Sequence, residues 1–220
     1  ASFFLQKPID DQALLDAIHA GDVDILVGTQ MLAKGHDFPK LTLVGAIGAD
    51  AALFAADFRA PERLFAQLMQ VGGRSGRADL PGEVLIQTDY PDHALYQALE
   101  DGDYGRFARV LLAERQIAGF PPYSFQALLR AEARTVEDSL AFLAIARKAA
   151  LTIADPRVTI YDPVPMKMRR LMTLERAQLL VESTNRPALQ AFLSKWMETI
   201  YAQRKVGGLR WHLDVDPLEI

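Results

Sequence analysis

Hydrophobic positions recur along the first half of the chain with two alternating periods. In DDQALLDAIHAGD (residues 10–22), Leu14, Leu15 and Ile18 fall on one helical face and Gly21 follows as a stop signal, which predicts an amphipathic helix. VDILVG (23–28) and LTLVGAIG (41–48) are short apolar runs of the kind expected for strands covered on both faces of a parallel sheet. APERLFAQLMQVGGR (60–74) opens with Pro61 and closes in glycines, the usual asymmetry of a helix. GEVLIQT (82–88) predicts another strand, and residues 92–100 and 103–117 predict two further helices. A β-α-β-α-β order implies an α/β layer fold that binds ligands outside the carboxyl ends of its strands.

The pattern breaks at GFPPYS (119–124), one Gly and two Pro within six residues, which predicts a boundary between a first unit, 1–118, and a second, 119–220. In the second unit, FQALLRAEA (125–133) predicts a strand, and residues 135–150 have helical spacing through Leu140, Leu143 and Ala144. VTIYDPVP (158–165) and RAQLLVEST (176–184) predict two strands, RPALQAFLSKWMETIYAQ (186–203) an amphipathic helix, and LRWHLDVDP (209–217) a last strand. The resulting order, βαββαβ, is the ferredoxin-like arrangement. Trp196, on the apolar face of that helix, and Trp211, in the last strand, are expected mainly in the core.

Composition narrows the class. The 220 residues are half hydrophobic and about a quarter charged, enough to bury a substantial core. No apolar run approaches the roughly eighteen residues needed to span a bilayer, and the N-terminal ASFFLQKPIDD has no basic region before its short apolar stretch. The expectation is a cytoplasmic protein with no membrane partner. With no cysteine there is no disulfide framework or thiolate metal site, and the four histidines show no ligand spacing. Charge is uneven. Residues 1–119 hold ten basic and seventeen acidic side chains, a net of −7, whereas residues 120–220 hold fourteen and eleven, a net of +3. Only the second unit has a basic surplus to offer phosphates.

Three stretches carry candidate chemistry. QVGGRSGRA (70–78) sets Arg74 and Arg77 among glycines. One reading is a helix stop with cations that complement the helix dipole. The other is a phosphate sensor, because the planar guanidinium matches two phosphate oxygens and glycines admit a nucleotide close to the backbone. In GTQMLAKGHDFP (28–39), Thr29 is placed to cap a turn whose free N–H groups can hold a phosphate, or merely to cap it. MKMRRLMTLER (166–176) is expected as a loop between strands holding Lys167, Arg169, Arg170 and Arg176, either solvated or in contact with DNA phosphates.

Taken together, in this order within one α/β layer, TQMLAKGHDFP resembles motif V of superfamily 2 helicases and QVGGRSGR their motif VI, Q-x-x-G-R-x-G-R. ADFRAPER, GEVLIQT, ERQIAGFPPY and the terminal LDVDPLEI narrow the resemblance to the PriA family of primosomal replication-restart DNA helicases, from about residue 22 to the end. That resemblance implies a partial RecA-like second helicase lobe built on a parallel sheet, followed by the family's ferredoxin-like C-terminal domain. It implies that Arg77 is the arginine finger reaching the γ-phosphate of ATP, that Arg74 supports the phosphates, and that Gln70 opens the motif at the nucleotide. Thr29 and Lys34 match positions on the DNA side of motif V, and Gly35 and Asp37 link that contact to the nucleotide site. Arg186 and Gln190, one helical turn apart, match positions that take the carboxylate of the acidic C-terminal tail of the single-stranded DNA-binding protein. The basic stretch departs from the family, whose equivalent loop more often shows Gly and aromatic residues, so phosphate contact by Lys167, Arg169 and Arg170 is expected rather than base stacking.

The chain contains no G-x-x-x-x-G-K-[ST] and no Asp-Glu pair. Phosphoryl transfer needs a phosphate cradle, Mg²⁺ ligands and a finger together. Beside the resemblance, these absences lead to the expectation of a C-terminal piece of a longer helicase, and the resemblance implies a bacterial, nucleoid-associated protein moving 3′→5′ on stalled forks. Its ATP, Mg²⁺ and Zn²⁺ sites would need upstream sequence, and the piece alone would bind none of them and hydrolyse nothing. Expected partners are branched and single-stranded DNA, the single-stranded DNA-binding protein, other primosome proteins and the N-terminal helicase lobe. The alternative is a stand-alone module that binds DNA and protein without motor function.

Overall fold

A computed structural model describes residues 11–28, 41–73, 82–171, 173–202 and 207–218. The chain divides into two compact units, residues 1–110 and 111–220. The first contains α1 (Asp11–Ala20), β1 (Leu43–Ala46), α2 (Ala49–Leu53), α3 (Ala60–Gly72), β2 (Glu83–Ile86) and α4 (Ala94–Glu100). The division falls inside α5 (Tyr104–Ala118), just ahead of the Gly/Pro segment that composition marks as a boundary.

β1 and β2 pair in parallel, Leu43 opposite Glu83 through Ala46 opposite Ile86. The helical period of α3 places Ala60, Leu64, Phe65 and Leu68 on one buried face. Phe65 stacks on Phe107 of α5 with ring centroids 4.8 Å apart. Leu95, Tyr96 and Ala98 of α4 are also buried.

Two expectations for this unit need correction. Residues 23–28 form no strand, and Ile25 and Val27 are exposed. A strand needs a partner for its backbone groups, and among the described residues β1 pairs with β2 alone. Among the described residues the sheet faces are not covered on both sides either: burial alternates along both strands, with Leu43 and Leu85 exposed.

The second unit contains β3 (Phe125–Ala133), α6 (Val136–Thr152), β4 (Val158–Ile160), β5 (Val164–Leu171), β6 (Leu174–Ser183), α7 (Arg186–Tyr201) and β7 (Arg210–Val215). Its antiparallel sheet runs β4-β6-β3-β7, with β5 pairing β6 off that path. This is the ferredoxin-like order with one strand added. The predicted second strand, 158–165, is interrupted because Pro163 has no N–H to give a ladder, so β4 ends and β5 begins around it.

Strand periodicity sends Ala127, Leu129 and Ala131 of β3 and Ala177, Leu179 and Val181 of β6 to one face. Helical periodicity brings Leu143, Ala146 and Ala150 of α6 and Leu189, Leu193, Trp196 and Ile200 of α7 down onto them. Trp196 is fully buried, and its indole N–H donates to the Ala146 carbonyl at 2.9 Å. Trp211 is half-buried against the same core. Both helices open on side-chain caps: Thr135 Oγ1 accepts from the Asp138 N–H at 3.2 Å and Asn185 Oδ1 from the Ala188 N–H at 2.9 Å. Among the described residues, no helix is long and apolar enough to cross a membrane.

Candidate functional site

The start of α7 is where the second unit gathers unlike chemistry. Register explains the meeting. Phe125 opens β3 opposite Ser183, the last residue of β6. On the other side of β3, the ladder with β7 ends at Ala127 opposite Val215, and the next residue, Asp216, donates its N–H to the Gln126 carbonyl at 2.9 Å. The chain passes from β6 into α7 through a fixed turn: Ser183 Oγ donates to the Arg157 carbonyl at 2.7 Å and accepts from the Asn185 N–H at 3.0 Å. Arg186 is the first helical residue after the Asn185 cap.

Three sequence-distant groups therefore converge. The Arg186 guanidinium pairs with the Asp216 carboxylate and lies over the Phe125 ring, 5.1 Å from its centroid. The two charged side chains are 52% and 45% exposed, so the pair stays open to exchange with solvent. Gln190 is exposed one turn along the same helix. Sequence reasoning found Arg186 and Gln190 but missed Phe125 and Asp216. Asp216 adopts φ 55°, a left-handed conformation that Asp tolerates better than most residues.

The basic stretch is not a loop. Lys167, Arg169 and Arg170 lie on β5, whose hairpin with β6 sets Arg170 opposite Glu175 and Leu171 opposite Leu174, with an irregularity between Pro165 and Arg170. At the two ends of β5, Val164–Pro165 and Arg170–Leu171, the backbone is used in strand pairing rather than left to solvent. Arg176 is removed from the candidate DNA contacts: it sits opposite Glu132 on β3, 3.3 Å from its carboxylate, with 16% of its side chain exposed.

In the first unit, α3 carries Gln70 exposed in its last turn. Its entry is fixed by Asp57, which accepts from the Arg59 N–H at 2.9 Å and pairs with Arg63. Arg74 and Arg77, and Thr29, Lys34, Gly35 and Asp37, lie outside the described residues.

At the carboxyl ends of β1 and β2 lies a polar hub that sequence reasoning passed over. The Asp50 carboxylate accepts from Thr88 Oγ1 at 2.6 Å, the Asp89 N–H at 2.8 Å and the Tyr96 hydroxyl at 3.2 Å. The Thr88 bond, then the Asp89 amide, hold the Asp50 carboxyl below the ordinary aspartate value of 3.8. Burial, and then Asp50 itself, push the Tyr96 phenol upward, although its bond to Thr88 pulls the other way. A depressed carboxylate stabilises the fold fully above its unfolded pKa and loses that contribution as pH falls through the folded one. The first unit is expected to lose protection of the Asp89 amide as pH falls below 3.8, and Asp50→Asn is expected to remove that acid limb. Amide exchange by NMR checks both. Among the described residues, no grouping of His, Cys, Asp and Glu is arranged to hold a metal ion.

Residues 116–218 match the family profile described as Primosomal protein N C-terminal domain. Along its length the chain is similar to curated proteins named Replication restart protein PriA. The protein from Haemophilus influenzae is 40% identical over 216 residues, 95% of this chain and 28% of that protein. Those from Synechocystis sp. and Bacillus subtilis are 41% and 34% identical, over 78% and 94% of this chain and 21% and 26% of theirs. The chain thus spans about a quarter of the length of these relatives. The helix start that seats Arg186 and the sheet that frames it lie within the matched domain, and the chain corresponds to a C-terminal part of the proteins named Replication restart protein PriA.

Proposed function

We propose that this chain is the C-terminal part of an ATP-dependent 3′→5′ DNA helicase that restarts stalled replication forks and loads the primosome. The observation that carries the reading is 40% identity along 95% of the chain to a replication restart protein. In this reading, Arg77 and Arg74 complete a nucleotide site whose phosphate cradle, Mg²⁺ ligands and Zn²⁺-binding cysteines belong to upstream sequence. Gln70, Gly35 and Asp37 line the nucleotide side of that site, and Thr29 and Lys34 its DNA side. The chain alone hydrolyses no ATP.

The second unit supplies the binding surfaces. Lys167, Arg169 and Arg170 offer cations to the phosphates of branched or single-stranded DNA. Arg186 and Gln190 receive the carboxylate of the single-stranded DNA-binding protein's acidic tail. This unit has its own closed core, which favours a second reading at the level of the chain itself: a module that binds DNA and protein without motor function. ATP turnover, measured on the chain alone and again with the upstream lobe present, separates the two.

Arg186→Ala is expected to weaken the labelled tail peptide by about tenfold or more, the scale of a lost hydrogen bond to a charged group. Fluorescence anisotropy reads this directly, and unchanged affinity removes Arg186 from the site. DNA binding by the same protein should be unaffected by that substitution.

A further inference from the structure

We propose that Asp216 is an internal competitor for the carboxylate seat on Arg186, occupying in the free chain the position that an acidic peptide ending in a free carboxylate takes when it binds. The inference rests on the reading that Arg186 receives such a peptide. It adds that the seat is already filled, and by what.

The geometry supports occupation rather than scaffolding. The Arg186–Asp216 pair is about half exposed on both sides, and an ion pair so open to water contributes little to the stability of a fold. Asp216 holds its carboxylate there from a left-handed backbone conformation, its N–H bound to the Gln126 carbonyl. Val215 and Leu218, near it in sequence, are both exposed apolar side chains, and Phe125 lies under the guanidinium. A cation over an aromatic ring suits a carboxylate attached to an apolar side chain, as at a peptide C-terminus.

While the pair is closed, the seat presents no net charge to an acidic run. One arm of the guanidinium fork is already used, and bidentate capture of an incoming carboxylate requires Asp216 to leave. Its departure is easy because the freed carboxylate returns to water. Affinity for the peptide is therefore set below what Arg186 alone would give, and any residue at position 216 that cannot carry a negative charge should raise it.

The test uses the full chain and an acidic C-terminal peptide of the single-stranded DNA-binding protein, with the same peptide amidated at its C-terminus as control. Asp216→Asn keeps a side chain that tolerates the left-handed backbone, and Asp216→Gly removes the side chain altogether. Both are expected to tighten the free-acid peptide by about two- to fivefold, the range of an exposed ion pair. The gain should vanish in an Arg186→Ala background and shrink for the amidated peptide. Weaker or unchanged binding by both variants, with Arg186→Ala still damaging, overturns the competition and makes Asp216 a positioning residue for Arg186. Unchanged binding by Arg186→Ala alone overturns the underlying assignment of the seat. A thermal melt of each variant confirms that the start of α7 is intact, and the Asn variant should melt with the parent chain.

Discussion

In the longer helicase proposed above, Arg77→Ala is expected to reduce DNA-stimulated ATP hydrolysis by on the order of 10³–10⁵-fold while DNA affinity stays nearly constant. The reason is where the charge is needed. As the γ-phosphoryl group transfers, negative charge spreads over its equatorial oxygens, and a guanidinium delivered by the opposite lobe offsets it at that moment. Nothing comparable is lost when DNA binds without hydrolysis. Arg77→Lys should recover little of the rate, because an ammonium lacks the planar fork that meets two oxygens together. Single-turnover hydrolysis and an equilibrium DNA titration on one preparation decide it. Lost DNA affinity with intact turnover would move Arg77 out of the nucleotide site. Arg74→Ala is expected to follow Arg77→Ala in direction.

The second large effect is on stability. Trp196→Ala removes the largest fully buried side chain of the chain, and with it the tilted ring contact to Phe192, with centroids 5.6 Å apart, and the hydrogen bond to Ala146. Replacing a buried aromatic by alanine costs about 3–5 kcal/mol, a large fraction of the roughly 5–15 kcal/mol that keeps a domain folded. The second unit should melt far below the parent. Trp196→Phe keeps an aromatic ring and loses mainly the N–H bond, so its cost should be nearer 1–2 kcal/mol. The chain has two tryptophans, so either variant leaves Trp211, packed on the same core, as a clean fluorescence reporter of unfolding in urea.

How much of this could be read in advance depended on the range over which the information acts. The helices and strands of the second unit follow from periods written into neighbouring residues: 127, 129 and 131 on one strand face, and 189, 193 and 196 on one helix face. VDILVG has the same apolar character as LTLVGAIG, yet only the latter becomes a strand, because only it finds a parallel partner. Arg176 looks like a member of the basic run around it, but the register opposite Glu132 takes it into the sheet. The cluster at the start of α7 was half legible. Arg186 and Gln190 share a helix face at i, i+4 spacing, whereas Phe125 and Asp216 arrive only because β3 lies between β6 and β7. No local period encodes that. The Asp50 hub is of the same kind, joining a residue after β1 to others beyond β2.

The indole of Trp196 has a mechanical role besides its bulk. Its N–H is tied to a carbonyl in the middle of α6, which fixes the axial position of α7 as well as its distance from the neighbouring helix. Arg186 lies ten residues back along the same rod, about 15 Å by helical rise, so the guanidinium is located by a pin in the interior as well as by the fixed turn before it. A shift of α7 by a fraction of a turn would carry Arg186 off the Phe125 ring. The tryptophan thus acts as the datum from which the exposed guanidinium of Arg186 is measured.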